Sequence, residues 1–210
     1  MMLQLALDTV GLKDAKHLLH EVRDVIDIVE IGTPLIIKEG VGAVRKIKNI
    51  FPFLKILADL KIADGGYYES QLAFEAGADI VTVLGNSENA TIESAVLKAK
   101  ESGKAVMIDM INVLDVKTRA SEVEKLEVDY ICVHTASDVK STKAPPLKEL
   151  QTVKKVIKKA KIAIAGGIDA ASIGSIVKEN PEIVIVGSWI TKSKNSREAA
   201  LAIKKIMTCG

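Results

Sequence analysis

Two carboxylates flank a lysine in the hexapeptide 59–64, which follows an apolar run and contains Asp59, Lys61 and Asp64. If the run is a strand, side chains at i and i+2 share a face, so Asp59 and Lys61 point the same way and Asp64 falls in the following loop. Neighbouring carboxylates favour the charged form of a lysine. The spacing therefore predicts an ammonium group that stabilises a developing anion and does not form a Schiff base. A solvated charge cluster at a strand end is the alternative.

Eight short aliphatic runs alternate with segments of helical periodicity along the chain. Near-continuous aliphatic runs are typical of parallel strands buried on both faces, and eight strand–helix units in about 200 residues match a small TIM barrel. The runs are 3–7, 26–31, 54–60, 80–84, 105–108, 130–133, 162–165 and 183–186. We therefore predict an α/β fold, a (β/α)8 TIM barrel of eight parallel strands and eight helices, as one domain over 1–210. A doubly wound open sheet is the alternative.

Composition and charge argue against several classes of protein. Hydrophobic residues make up 48% of the chain and aromatic residues 3%, which predicts an aliphatic core. Lys and Arg number 29 against 27 Asp and Glu, with no basic block, so a nucleic-acid partner is not expected. No apolar run reaches about 18 residues and no signal-peptide pattern is present, which predicts a cytoplasmic protein without a membrane partner. Cys132 and Cys209 lack zinc or disulfide spacing and are expected to be reduced thiols.

Polar residues end several of the predicted strands. They are Asp8, Glu30, the pair Asp59 and Lys61, Asp109 and His134. In a TIM barrel the C-terminal strand ends form the rim that holds the active site. Charged groups that meet at one rim repel one another and lose solvation unless they bind a cation or each other. The set predicts a functional site, although each residue alone could be a solvated strand end.

Glycine-bearing turns follow the last two predicted strands, at Gly166-Gly167 and at Gly187-Ser188. We expect these turns to open the helices that come next. Free backbone amides and the helix dipole favour an anion at such a place, and barrels frequently bind phosphate after strands seven and eight. The two turns together predict a phosphate site, whereas one alone would be an ordinary tight turn. No nucleotide, flavin or pyridoxal motif is present.

In this order the motifs resemble the orotidine-phosphate decarboxylase superfamily, and within it the 3-hexulose-6-phosphate synthase family, over nearly the whole chain. The matching stretches are Asp8, 30–33, 58–64, 133–135, 165–168 and 186–188. The resemblance implies an aldehyde-lyase that joins ribulose 5-phosphate and formaldehyde, with Mg²⁺ or Mn²⁺, to give 3-hexulose 6-phosphate on a homodimer. The related decarboxylation of 3-keto-L-gulonate 6-phosphate also passes through an enediolate, so the shared residues fit both reactions.

The resemblance also implies roles for the rim residues. Glu30 and Asp59 resemble the Mg²⁺ ligands, and Lys61 resembles the cation that stabilises the enediolate oxygen. Asp109 would help to position Lys61. His134 resembles the group that handles protons near the reacting carbons, a task that histidine side chains commonly perform.

Further roles follow from the same resemblance for residues around the rim. Asp8 resembles a ligand of a substrate hydroxyl. Asp64 resembles the residue that reaches into the active site of the other subunit, which would make dimerisation a condition of activity. The turns at Gly166-Gly167 and Gly187-Ser188 resemble the phosphate-binding site.

Two missing arginines favour the aldol reaction. The decarboxylases typically place one arginine shortly after the rim histidine and another after the strand-eight glycine, whereas 135–138 and 187–188 contain none here. Without a guanidinium to pair with phosphate or to orient a protonating water, formaldehyde would occupy the place of the carboxylate. A non-catalytic sugar-phosphate-binding barrel and a ribulose-phosphate 3-epimerase are weaker alternatives. An epimerase usually needs several metal-binding histidines, but His17 and His20 fall in the first helix.

Overall fold

Eight parallel strands close into a barrel in the computed structural model, which describes residues 1–139 and 144–209 without the side chain of Cys209. The strands are β1 (Met2–Leu7), β2 (Ile28–Ile31), β3 (Lys55–Ile62), β4 (Ile80–Leu84), β5 (Ala105–Asp109), β6 (Tyr130–His134), β7 (Lys161–Ala165) and β8 (Ile183–Val186). Each strand pairs with the next along the chain, and β8 pairs with β1. Every predicted run overlaps one strand, so the predicted TIM barrel is confirmed.

Helices connect the strands around the outside of the barrel. They are α1 (Leu12–Val22), α2 (Thr33–Glu39), α3 (Gly42–Ile50), α4 (Gly66–Glu75), α5 (Asn89–Ser102), α6 (Val116–Glu124), α7 (Leu147–Lys154), α8 (Ile173–Val177), α9 (Ser188–Thr191) and α10 (Ser196–Cys209). The described residues thus form ten helices where eight were predicted, because β2 and β8 are each followed by two. Gly40 ends α2 with φ of 69°, a positive value that glycine adopts without a steric penalty and that does not continue a helix. None of the described helices is long and apolar enough to cross a membrane.

Side chains alternate along each strand between two buried cores. On β1, Leu3, Leu5 and Leu7 belong to the larger core between the strands and the helices, while Ala6 belongs to the core inside the barrel. The inner core is small and mostly aliphatic, and includes Ile28, Leu57 and Ile183. Because both faces of the strands are buried, neither face needs polar residues and the strands are nearly continuous aliphatic runs.

The barrel interior becomes polar toward the C-terminal ends of the strands. Glu30, Asp59, Thr82 and Asp109 come from the four consecutive strands β2 to β5, and all are at most 8% exposed. Buried polar groups are costly unless they are hydrogen-bonded, and buried charges are costly unless they are paired. The fold therefore places these groups where they must interact with one another or with a ligand.

Candidate active site

The ammonium group of Lys61 lies between two buried carboxylates. Its Nζ donates to Asp109 Oδ2 at 2.7 Å and to Asp59 Oδ1 at 3.1 Å. The side chains of Asp59 and Asp109 are 6% and 5% exposed, whereas 26% of the Lys61 side chain remains exposed. The cation is thus held by its partners and still faces the open end of the barrel.

The environment of Lys61 keeps its amine charged. Burial by itself lowers the pKa of Lys61, but the negative charges of Asp109 and Asp59 outweigh it and raise the pKa above its ordinary value. The ammonium predicted from the sequence is therefore present at neutral pH. A protonated amine has no lone pair with which to attack a carbonyl, so the arrangement suits electrostatic stabilisation of an anion.

The strand that presents Asp59 and Lys61 is irregular at this point. In the pairing of β3 with β4, residue 58 is opposite 81 and residue 62 is opposite 83, so residues 59–61 face Thr82 alone. Lys61 itself has φ of 50°. The sequence predicted that regular strand alternation would bring the side chains of Asp59 and Lys61 to one face. Both side chains do line the cleft, but they lie in a bulge and not in a regular strand.

Asp109 joins the lysine to the histidine of the rim. His134 Nδ1 lies 3.0 Å from both oxygens of the Asp109 carboxylate, and the backbone N–H of Ile111 donates to Asp109 Oδ1 at 3.0 Å. Burial tends to raise the pKa of Asp109, but the contacts with His134 and Lys61 lower it to about 2. Asp109 is therefore an anion that fixes two functional groups in relation to each other.

Glu30 is a buried acid with a neutral partner. Gln4 is fully buried inside the barrel, and its Nε2 donates to Glu30 Oε2 at 2.6 Å. Burial raises the pKa of Glu30 well above its ordinary value, and the charges of Asp59 and Asp8 raise it further. Burial and the neighbouring carboxylates thus disfavour the Glu30 anion, whereas a bound cation would favour it.

The predicted metal ligands Glu30 and Asp59 form a pair at the mouth of the barrel. Among the described residues no group of three or more His, Cys, Asp and Glu side chains has the arrangement of a metal site. Mg²⁺, however, is usually held by one or two carboxylates together with water and substrate oxygens. The two carboxyl side chains supply oxygen ligands and line one cleft with room for a substrate, and they therefore fit Mg²⁺.

A cleft of about 400 Å³ opens above these groups. Of the predicted site residues, it is lined by Asp8, Glu30, Asp59, Lys61, His134, Gly166, Gly167, Gly187 and Ser188. Gly166 has φ of 99°, and a Cβ there would lie 2.2 Å from the carbonyl oxygen of Thr135. Only glycine therefore allows the end of β7 to approach the segment after β6 so closely.

One of the two glycine turns does not open a helix, contrary to the prediction. Residues 168–172 form a loop after Gly166-Gly167, and α8 begins only at Ile173. In that loop Asp169 Oδ1 accepts the backbone N–H groups of Ala171 and Ser172, and such side-chain bonds compete with helix formation. After β8 the prediction is confirmed, since α9 begins at Ser188 directly after Gly187.

Asp64 lies apart from the cleft of its own chain. It is exposed just before α4, and its Oδ1 accepts the backbone N–H of Gly65 at 2.7 Å. It is absent from the described residues that line the cleft. The adjoining helix exposes 66% of Tyr68 and 40% of Leu72. A direct role of Asp64 in the reaction would therefore require a second subunit whose cleft it enters.

Three polar residues of the site have no role in the sequence-based prediction. Gln4 bonds Glu30, Thr82 Oγ1 donates to Asp59 Oδ1 at 2.8 Å, and Thr33 Oγ1 donates to Asp59 Oδ2 at 2.8 Å. Gln4 and Thr82 are polar residues within aliphatic runs, in register with the inward-facing residues of their strands. That register is a usable signal, because a polar side chain is buried inside a barrel only with a partner.

The chain belongs to the orotidine 5'-phosphate decarboxylase / HUMPS family, whose model matches residues 1–203. A 3-hexulose-6-phosphate synthase of Bacillus subtilis (strain 168) is 49% identical over 210 residues, which cover 100% of both chains. The crystal structure of 3-hexulose-6-phosphate synthase from Salmonella typhimurium has a TM-score of 0.97 at 44% identity and covers 100% of this chain and 99% of its own.

A decarboxylase of the same fold is a more distant relative. The 3-keto-L-gulonate-6-phosphate decarboxylase from Vibrio cholerae O1 biovar El Tor has a TM-score of 0.84 at 25% identity, covering 99% of this chain and 97% of its own. The predicted resemblance to the superfamily is confirmed by these similarities. The same similarities confirm the prediction that the chain is an enzyme.

Proposed function

We propose that the protein condenses D-ribulose 5-phosphate with formaldehyde to D-arabino-hex-3-ulose 6-phosphate. The proposal rests on the charged Lys61, fixed between Asp59 and Asp109 in a cleft that two glycine-bearing turns also line. A substrate with a phosphate and an acidic carbon matches a site with backbone turns and a fixed cation. The 49% identity over the full length of a relative named as this synthase supports the same activity.

The glycine turns and Asp8 bind the sugar phosphate in this proposal. The phosphate lies against Gly166-Gly167 and Gly187-Ser188, where backbone groups can approach it closely. Asp8 lines the same cleft and accepts a hydrogen bond from a substrate hydroxyl. These contacts hold the carbon next to the carbonyl near Lys61, which converts the reaction with formaldehyde into one between positioned groups.

Lys61 and His134 take part in the chemistry. His134, held through Nδ1 by Asp109, takes the proton from the carbon next to the ketone at its other ring nitrogen. Lys61 stabilises the negative charge that develops on the enediolate oxygen. The enediolate carbon then forms a bond with the formaldehyde carbon, the carbonyl electron pair moves to the formaldehyde oxygen, and His134 returns the proton to that oxygen.

Glu30 and Asp59 would hold Mg²⁺ beside these groups. The ion supplies Lewis-acid polarisation of substrate oxygens when it is bound. Thr33, Thr82 and Lys61 hold the Asp59 carboxylate in place, and Gln4 holds Glu30. Such outer partners fix the orientation of metal-binding carboxylates.

Removal of divalent metal with EDTA is expected to abolish turnover, and Mg²⁺ or Mn²⁺ should restore it. Calorimetric titration of Mg²⁺ into the chelated protein measures binding independently of activity. Glu30→Gln is expected to weaken that binding by more than about tenfold, which corresponds to about 1.4 kcal/mol. Glu93→Gln, on the exposed face of α5, is the matched control and should bind like the wild type. Full turnover after exhaustive chelation, or unchanged affinity in Glu30→Gln, contradicts the metal assignment.

A comparison of substrates tests the proposed reaction. Ribulose 5-phosphate should be consumed only when formaldehyde is present, and the six-carbon product should be detected by mass spectrometry. Turnover of 3-keto-L-gulonate 6-phosphate, measured as released CO₂, should be at least about 10²-fold slower, a difference of about 2.7 kcal/mol in the barrier. Faster decarboxylation than condensation would assign the chain to the decarboxylase reaction instead.

We also infer that two copies of the chain form a homodimer with shared active sites. Asp64 is exposed beside α4 and directed to no group of its own cleft that the structure describes, while Tyr68 and Leu72 on α4 offer apolar contact area. A twofold contact through α4 would bring each Asp64 toward the partner.

A further inference from the structure

The bulge in β3 places one β4 residue opposite three residues of the site. Between the pairs 58 with 81 and 62 with 83, Thr82 is the single β4 residue that faces Asp59, Leu60 and Lys61. A regular parallel ladder would give the backbone N–H of each second residue a carbonyl partner on the neighbouring strand. The ladder is interrupted here, so the Lys61 backbone needs another partner.

The hydroxyl of Thr82 supplies that partner. The backbone N–H of Lys61 donates to Thr82 Oγ1 at 2.9 Å, and Thr82 Oγ1 donates to Asp59 Oδ1 at 2.8 Å. One hydroxyl can accept and donate at the same time, so both bonds can be present together. Thr82 is only 4% exposed, and water therefore does not readily replace it. The Thr82 hydroxyl thus accepts the backbone N–H of Lys61, as a backbone carbonyl would in a regular ladder.

The backbone of Lys61 needs this support because it is left-handed. Its φ of 50° is disfavoured for a residue with a Cβ. Such conformations persist where the surroundings determine them, and they are frequent at functional sites. The bond to Thr82 holds the backbone of Lys61. The bond from Thr82 to Asp59 holds one of the two carboxylates that accept hydrogen bonds from the Lys61 ammonium group.

We propose that Thr82 is a positioning residue that sets the bulge and thereby aims Lys61 Nζ between Asp59 and Asp109. Thr82 lines the small space beneath the cleft and is absent from the described lining of the cleft itself, so it acts through Lys61 and not on the substrate. This inference deepens the proposed function and rests on it for the kinetic part of its test.

Thr82→Val and Thr82→Ser separate the hydroxyl from the volume of the side chain. Valine has nearly the same shape but cannot bond Lys61 or Asp59, and we expect kcat to fall about 10²-fold, the cost that a misplacement of about 1 Å can have. The KM should stay within about twofold, since the displaced Lys61 acts in the transition state and not in substrate binding. Serine keeps the hydroxyl, so kcat should stay within about fivefold of the wild type.

Ser87→Ala is the matched control, because it should lower stability without moving the Lys61 side chain. The Ser87 hydroxyl is also buried and donates to the carbonyl oxygen of Ile62 at 3.0 Å, next to Lys61 in β3 but with no bond to a charged group. This variant should lower the Tm and leave kcat within about twofold, because a neighbouring hydrogen bond is lost but no bond to Lys61 or Asp59 is. All rates are measured below the Tm of each variant.

Crystal structures of the wild type and Thr82→Val complete the test. In the variant, Lys61 should leave the left-handed region and its Nζ should lose the contact with Asp59. Wild-type kcat in Thr82→Val, an equal fall in Thr82→Ser, or an unmoved Lys61 would each overturn the inference. If the wild type does not condense ribulose 5-phosphate with formaldehyde, the proposed function fails. The crystal structures then decide the role of Thr82 alone: a displaced Lys61 supports it and an unmoved one overturns it.

Discussion

Lys61→Ala is expected to lower kcat by about 10²- to 10³-fold, because removal of one preorganised electrostatic group typically costs about 2.7 to 4 kcal/mol. The charge of Lys61 is fixed by Asp59 and Asp109 before the substrate binds, so no reorganisation is needed when the anion develops. Steady-state kinetics with ribulose 5-phosphate and formaldehyde measure the effect. Lys55→Ala is the matched control, since Lys55 is exposed at the opposite end of the same strand.

The stability of the Lys61 variant has to be measured with its rate. Without the ammonium, Asp59 and Asp109 are two buried carboxylates that share no cation, and breaking a buried ion pair typically costs about 3 to 5 kcal/mol. Circular dichroism and the Tm show whether the assayed protein is folded. Lys61→Arg keeps the charge and reports on position alone. A folded Lys61→Ala within about tenfold of the wild type would mean that the cluster is structural, since tenfold is only about 1.4 kcal/mol.

Asp64→Ala and Lys61→Ala are each expected to be nearly inactive as homodimers and to restore activity when their subunits are exchanged. If Asp64 enters the partner's cleft, each heterodimer has one site with both defects and one site with neither. Random exchange at equal concentrations should then restore about a quarter of the wild-type activity, by counting sites in a twofold dimer. Native mass spectrometry verifies that heterodimers have formed.

The matched control mixes Lys61→Ala with Asp59→Ala. These two residues contact each other within one chain, so every site of such a heterodimer contains one of the two defects. No activity should return in this mixture. Verified heterodimers of the Asp64 and Lys61 variants that stay inactive would show that Asp64 serves its own subunit or only the fold. Equal recovery in both mixtures would point to repair of folding and not to shared sites.

The sequence was sufficient to predict the barrel and the positions of most of its strands. A strand buried on both faces has no solvent-facing register, and this condition produces the continuous aliphatic runs that overlap β1 to β8. The predicted number of helices was too low. Short helices such as α9 (Ser188–Thr191) depend on local turns and tertiary contacts more than on a long amphipathic pattern.

The candidate site was predictable where a polar residue lies at the C-terminal end of an aliphatic run or next to that end. Asp8, Glu30 and His134 were found in this way, and the structure brings all three to one cleft. Gln4 and Thr82 were not found, because they lie within the runs and not at their ends. Their importance depends on which partner lies beside them on the neighbouring strand, and the order of residues along one strand does not contain that information.

The sequence by itself determined the number of strands and which polar residues lie near their C-terminal ends, because strands buried on both faces are continuous aliphatic runs and parallel order brings those ends to one rim. Only the tertiary structure decided how those residues meet. Lys61 reaches Asp109, 48 positions away, and its backbone bonds Thr82, 21 positions away. These contacts depend on the closure of the barrel and on the bulge between β3 and β4. Periodicity is set by neighbours in the chain, whereas register and bulges are set by the pairing of distant strands.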